Sequence, residues 1–361
     1  MASSARPATS SPSPLSLGPL IMGGAGFSYQ LTTDPSSLPA ASILSRAFSL
    51  GIRTIDTSPY YHPSEEILGA ALSSPEITTT YSRSDYILMT KCGRLSSDKF
   101  DYSPSWIHAS VARSLSRFQT SYLDVVFCHD VEYVSVPEAV GAVGALFELK
   151  KAGKVRYAGI SGYDLDVLVD VAVKVRETYG MPVDVVQSWA QLTLQNTRLE
   201  KQGLGRLREA GVRAVCSSSP LACGLLRDGG VPVGALGDWH PAPEGLREKA
   251  KEAAEVVHGR GQKLAAVALR FAVRRAVENS RDGVEVATIT GIGSLRDLEE
   301  NVETARQVLG DGIRPEVWRE ERGVEHGNSV DRELEEKDEL LFEQVRNVLG
   351  SWVDYDFSTK S

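Results

Sequence analysis

Two hydrophobic periodicities alternate along the chain. Short apolar runs at residues 19–22, 53–56, 86–90, 123–128, 155–160, 183–187, 212–216 and 286–290 read as buried strands. Between most of them, apolar positions recur every three to four residues, as in "PAASILSRAFSLG", "IHASVARSLSRF", "VPEAVGAVGALFELKKAG", "LDVLVDVAVKVRETYG" and "NTRLEKQGLGRLREAG". That spacing lays one apolar stripe along a helix. Several of these segments end in glycine, at Gly51, Gly153, Gly180 and Gly211, the usual stop signal for a helix. Strand starts are roughly thirty residues apart, one strand-plus-helix unit. Eight such units in series predict an α/β fold of the (β/α)8 TIM-barrel type, over an open doubly wound sheet.

Three segments break the rhythm. Residues 1–16, "MASSARPATSSPSPLS", are rich in Ser, Pro and Ala and predict a disordered tail ahead of a barrel spanning 17–312. Within residues 217–285 a Gly/Pro-rich stretch, "SSSPLACGLLRDGGVPVGALGDWHPAP", reads as a loop folded over a ligand, followed by a helix "EGLREKAKEAAEVVHG". In residues 313–361 the charged "REERGVEHGNSVDRELEEKDE" predicts an exposed linker or helix. The amphipathic "LLFEQVRNVLGSW" after it predicts a helix packed on the barrel.

With 361 residues, 42% of them hydrophobic, the chain can bury a large core. A formal net charge of -8 argues against nucleic acid, which needs clustered cations. No apolar run approaches the roughly eighteen residues of a bilayer span. The N-terminus lacks the basic-then-apolar order of a secretory signal, so no membrane partner is expected and the location expected is cytoplasmic. Cys92, Cys128, Cys216 and Cys223 stand singly, without metal-site spacing, and read as reduced structural thiols. Cys128 and His129 are strand neighbours, so at most one of them faces a given site.

Reactive groups in such barrels collect at the C-terminal ends of the strands. There the chain carries Asp56 with Tyr60 and Tyr61 just beyond it, Lys91 in "ILMTKCG", and His129 with Asp130 in "LDVVFCHD". Singly, each is an ordinary packing or solvated residue. Jointly they make a proton-transfer device for a carbon–oxygen centre: a lysine ammonium lowers the phenol's pKa, a carboxylate holds the lysine, and a histidine orients the substrate oxygen. Neither "GGAGF" nor "GIGSLR" has the glycine spacing of a Rossmann fingerprint. Gly291 and Gly293 read either as a plain strand-to-helix turn or, in a barrel, as the phosphate site after the last strand.

The blocks "GIRTIDTSPYYHPSEEILGAAL", "TKCG", "YLDVVFCHD", "GKVRYAGISGY", "VDVVQ", "SSSPLACGLL" and "ITGIGSLRDLEENV" resemble the aldo-keto reductases in order and spacing from about residue 17 to 310. The resemblance implies Asp56, Tyr61, Lys91 and His129 as the catalytic four. Tyr61, five residues after Asp56, is the implied proton donor or acceptor, and Tyr60 its packing neighbour. His62 stands where the family usually has glycine. No side chain accepts hydride, so a nicotinamide is implied. The resemblance puts Ser161 and Gln187 on its carboxamide, and Ser219, Pro220 and Leu221 on the pyrophosphate side. It puts Gly291, Gly293, Ser294, Asp297 and Asn301 around the adenosine. Gly162 replaces a common asparagine on the carboxamide, and Ser218 replaces a stacking aromatic. The positions that hold Lys and Arg in members preferring NADP are Gly291 and Asp297 here. An aspartate accepts a ribose 2′-hydroxyl and repels a 2′-phosphate, so NAD is expected over NADP, with Arg296 next door able to swing in and bind the phosphate.

Within the family, "SGY", "LQNTRL" and "GDWHPAP" look most like the sugar dehydrogenases. That implies oxidation of an aldose of D-arabinose, L-galactose or L-fucose type at the anomeric carbon to the lactone, and a link to erythroascorbate or ascorbate-type synthesis. Tyr61 would take the hydroxyl proton while hydride passes to nicotinamide C4. The expected partner is a small sugar, and a homodimer is compatible with the sequence. The alternatives are an NADPH-dependent aldehyde or ketone reductase, and a non-catalytic partner protein like the channel β subunits.

Overall fold

The computed structural model describes residues 15–234, 237–313 and 332–358. Eight parallel strands close in sequence order into a barrel: β1 Leu20–Gly23, β2 Thr54–Asp56, β3 Ile87–Cys92, β4 Leu123–His129, β5 Val155–Gly162, β6 Val185–Trp189, β7 Ala214–Ser218 and β8 Glu285–Gly291. The last of these pairs back onto β1. Around them run α1 Ala40–Ser49, α2 Ser64–Leu72, the single turn α3 Pro75–Thr78, α4 Pro104–Arg117, α5 Val136–Lys151, α6 Leu165–Tyr179, α7 Leu204–Glu209, α8 Glu244–His258, α9 Leu264–Asn279 and α10 Leu295–Leu309. A further helix, α11 Arg332–Leu349, packs on α8 and α9.

Each strand divides its side chains between two cores, as a period of two requires. Ile21, Met89, Val125, Phe127, Val185, Cys216, Ala287 and Ile289 fill the barrel interior. Val126, Cys128, Ile160 and Val186 join the apolar stripes of the helices outside. The end opposite the mouth is shut by the buried Glu285, whose Oε1 accepts the N–H groups of Leu17 (2.8 Å) and Gly18 (2.9 Å). Residue 17 is thus already built into the barrel. Cys92 and Cys128 belong to the outer shell and Cys216 to the interior, all as free thiols.

Several strands extend further toward their C-terminal ends than their apolar runs predict. The pairing continues through polar positions, with His129 opposite Ser161 and Ser161 opposite Gln187. These side chains belong to the mouth and not to the apolar outer core, so the apolar run ends before the strand does. The helix α9 was not among the predicted elements. It is buried on most of its circumference, from Leu264 and Val267 to Phe271 and Ala276, so its apolar positions form no single stripe.

Among its described residues, the charged C-terminal stretch departs from its expected exposure at one position. Asp338 is 0% exposed and accepts from Arg270 at 2.8 Å (Nε to Oδ2) and 2.7 Å (Nη2 to Oδ1), while Arg270 itself is 2% exposed. A bidentate pair like this one locks α11 to α9 at one register. Most of the predicted linker, residues 314–331, and residues 1–14 of the predicted tail lie outside the described residues. Among those described, no helix is long and apolar enough to cross a membrane.

The first helices are fitted as closely as the strands. A Cβ at Gly69 of α2 would overlap the carbonyl oxygen of Arg117 at the end of α4. Backbone cannot rotate away as a side chain can, so Gly69→Ala is expected to cost about 1–3 kcal/mol. A lowered urea midpoint at unchanged slope would show it.

Candidate active site

At the mouth of the barrel, Asp56 ends β2 and Lys91 sits near the end of β3. Lys91 Nζ donates to both carboxylate oxygens, Oδ1 at 2.9 Å and Oδ2 at 2.8 Å, and to the carbonyl of Thr57 at 2.9 Å. Both side chains are almost wholly buried. Gln187 Nε2 reaches the same Asp56 Oδ2 at 3.3 Å, tying β6 to the pair. Burial pushes the Asp56 carboxyl up, against the opposing pull of Lys91 and then of Gln187.

Tyr61 lies in the loop after β2, its ring centre 5.3 Å from Lys91 Nζ. This loop is pinned through the start of α2. Ser64 Oγ donates to Gly24 O at 2.9 Å and meets Thr57 Oγ1 at 2.7 Å. The buried Glu65 accepts from Thr90 of β3 at 2.6 Å and from Arg117 at 3.0 Å. The acidic helix start therefore anchors the tyrosine loop by side chains turned inward. Opposite Tyr61 stands His129, edge-on at 5.9 Å between ring centres. Burial drives its imidazole down to about 3, and Lys91 and Arg94 push the same way against Asp130, so the ring is neutral at ordinary pH.

One sequence expectation changes sign here. Lys91 was expected to make the Tyr61 phenol acidic, but the phenol is held well above its usual range, first by burial and then by the charges of Asp56 and Asp130. The reason is geometric: the ammonium is bound by both oxygens of Asp56, so its charge is largely spent on the carboxylate.

The remaining predicted residues fall into two groups. Ser161 and Gln187 join the inner rim beside His129. Gln187 Oε1 is buried without a partner, while Ser161 Oγ makes a long bond, 3.4 Å, to Cys128 O. Directly after β7 come Ser219, in a left-handed conformation (φ 58°), then Pro220 and Leu221. Cys223 of this loop is near enough to Tyr61 for its charge to act on the phenol. The second group surrounds the start of α10. Ser294 caps the helix by accepting from Asp297 N at 3.0 Å. Asp297 Oδ2 accepts from Gly293 N at 3.2 Å, and Asn301 Nδ2 donates to Thr290 Oγ1 and Gly291 O, both at 3.2 Å. Arg296 turns to Glu300 at 3.0 Å. The "GGAGF" turn is a packing element, since a Cβ at Gly26 would strike the carbonyl of Ile292 in the loop leading to α10.

Several site residues have no counterpart in the sequence expectations. Arg94 pairs with Asp130 and lies 4.1 Å over the Tyr60 ring. Ser58 Oγ meets His129 Nδ1 at 3.2 Å. Glu132 fills the space that a side chain at Gly162 would take, and burial with the nearby Asp130 pushes its carboxyl up to about 7. The motif around Tyr61 contains Ser58, so its proximity was readable; the Arg94 and Glu132 contacts join separate loops and leave no local pattern.

A parallel barrel with a buried lysine–aspartate pair under a tyrosine and beside a histidine defines a class of oxidoreductase. Residues 19–311 match the model of the aldo/keto reductase family, and the chain belongs to that family. It is 36% identical over 301 residues to D-arabinose 1-dehydrogenase of Saccharomyces cerevisiae, covering 83% of this chain and 86% of that one. To L-galactose dehydrogenase of Arabidopsis thaliana it is 34% identical over 288 residues, covering 79% and 83%. Among solved structures, an aldo-keto reductase of Bacillus halodurans superposes with a TM-score of 0.62 at 21% identity, over 92% of this chain and 94% of that one, a likeness of fold.

Proposed function

We propose that this protein is an NAD-dependent aldose 1-dehydrogenase, oxidising a sugar of D-arabinose, L-galactose or L-fucose type at the anomeric carbon to the lactone. The observation that carries the reading is the buried Lys91–Asp56 pair beneath Tyr61, with neutral His129 facing the same phenol. The sugar dehydrogenases among its relatives support the substrate class.

The rim suits a nicotinamide. Gln187 Oε1, an orphaned buried acceptor, and the weakly engaged Ser161 hydroxyl match the donor and acceptor of a carboxamide. Residues 219–221 and the start of α10 would hold the pyrophosphate and adenosine. When bound, the oxidised cofactor supplies the hydride acceptor. Tyr61 takes the proton from the C1 hydroxyl. A phenolate whose conjugate acid is held high is scarce but strongly basic, and the Lys91 ammonium lies 5.3 Å from the centre of its ring. His129, uncharged, hydrogen-bonds the reacting oxygen and sets its angle.

Preference for NAD follows from charge. Asp297 stands at the head of α10, and Arg296 is drawn away by Glu300. Asp297→Arg is expected to raise kcat/KM with NADP relative to NAD by about tenfold or more, the value of one charge-assisted contact. Purified protein given NAD with D-arabinose, L-galactose or L-fucose is expected to form NADH. Turnover confined to NADPH with a simple aldehyde would overturn the proposal.

A further inference from the structure

Which nitrogen of His129 carries the single proton decides whether the ring donates or accepts at the mouth. Nδ1 lies 3.2 Å from Ser58 Oγ. That same oxygen already accepts the backbone N–H of Tyr60 at 3.1 Å. Its own O–H is therefore free to donate, and Nδ1 is within reach. On the far side of the ring, Nε2 is 3.5 Å from Asp130 Oδ2. This carboxylate is the salt-bridge partner of Arg94 and faces the ring as an acceptor. Both neighbours favour the same arrangement: a bare Nδ1 and a protonated Nε2. Ser58 and His129 are both buried, so bulk water does not compete for these bonds. Burial, helped by the charges of Lys91 and Arg94 and opposed by that of Asp130, leaves the imidazole neutral.

We propose that Ser58 is a positioning residue: its hydroxyl, donating to Nδ1, fixes His129 as the Nε2–H tautomer, so that the ring presents a donor to the reacting oxygen. The consequence for catalysis rests on the role given above to His129. Without Ser58 the ring loses its one hydrogen-bonded partner, only the more distant Asp130 carboxylate still biases it, and part of the population presents a bare Nε2, unable to donate to that oxygen.

The test uses the full chain labelled with 15N-histidine. Wild type is expected to show the His129 signals of an unprotonated Nδ1 and a protonated Nε2. Ser58→Ala is expected to show a tautomer mixture and kcat for sugar oxidation lowered roughly tenfold, the worth of one hydrogen bond, with KM for NAD unchanged. Ser58→Thr, which keeps the hydroxyl, is expected to restore both. Thermal unfolding of each variant checks that the fold is intact. A protonated Nδ1 in wild type, or one tautomer shared by wild type and Ser58→Ala, would overturn the proposal. A tautomer mixture with undiminished turnover would support the hydrogen-bond assignment and overturn instead the role of His129 in the reaction.

Discussion

Tyr61→Phe is expected to lower kcat for sugar oxidation by about 10²–10⁴, the usual contribution of a positioned acid or base. The substitution removes one oxygen and leaves the ring where it meets His129 edge-on. NAD affinity, followed by protein fluorescence, and the thermal midpoint should both stay near wild type. The wild-type pH profile carries a second signature of the same group. In the proposed mechanism oxidation needs the phenolate, and burial holds the phenol well above its ordinary range. Activity should thus climb with pH throughout the alkaline range, approaching a decade per unit, without levelling off at the value of a free tyrosine. His129, displaced to about 3, should add no inflection near the usual histidine value. A profile that flattened below pH 9, roughly a unit under the free phenol, or a phenylalanine variant with full turnover, would remove Tyr61 from the reaction.

The barrel was legible because its strands differ so sharply in period from its helices, and because the spacing repeats. Legibility fails where a residue's partner is far along the chain. Asp338 sits in the midst of Glu and Lys and looks solvated; only the fold brings it against Arg270, 68 positions away. The rim residues show the opposite case. Asp56, Lys91 and His129 could be placed together from their strand ends alone, since a closed parallel barrel brings all such ends to one face. Their electrostatics could not. Proximity of a cation to a phenol suggests an acidic phenol, yet the sign depends on whether that cation is already paired and on how much water is excluded. Both are properties of packing, and here they leave the phenol raised.

Lys91→Met separates the two roles of the buried pair. Removing the ammonium leaves Asp56 as a lone buried carboxylate and strips the donor from Thr57 O. Breaking a buried pair from one side costs about 3–5 kcal/mol, because the surviving charge has no opposite charge and no water. Lys91→Met is therefore expected to lower the denaturant midpoint sharply and abolish sugar oxidation, an ambiguous result by itself. Adding Asp56→Asn resolves it. The amide carries no charge, and its oxygen can still accept from Gln187, whose bond to position 56 exists already. The double variant should recover most of the lost stability, since replacing both members of a buried ion pair by neutral groups is far cheaper than removing one. Turnover should not return, because the ammonium that lies 5.3 Å from the Tyr61 ring centre is gone. Recovery of both stability and activity would mean that Lys91 serves only to satisfy Asp56. Recovery of neither would mean that the Thr57 carbonyl, and not the ion pair, is what the ammonium holds in place.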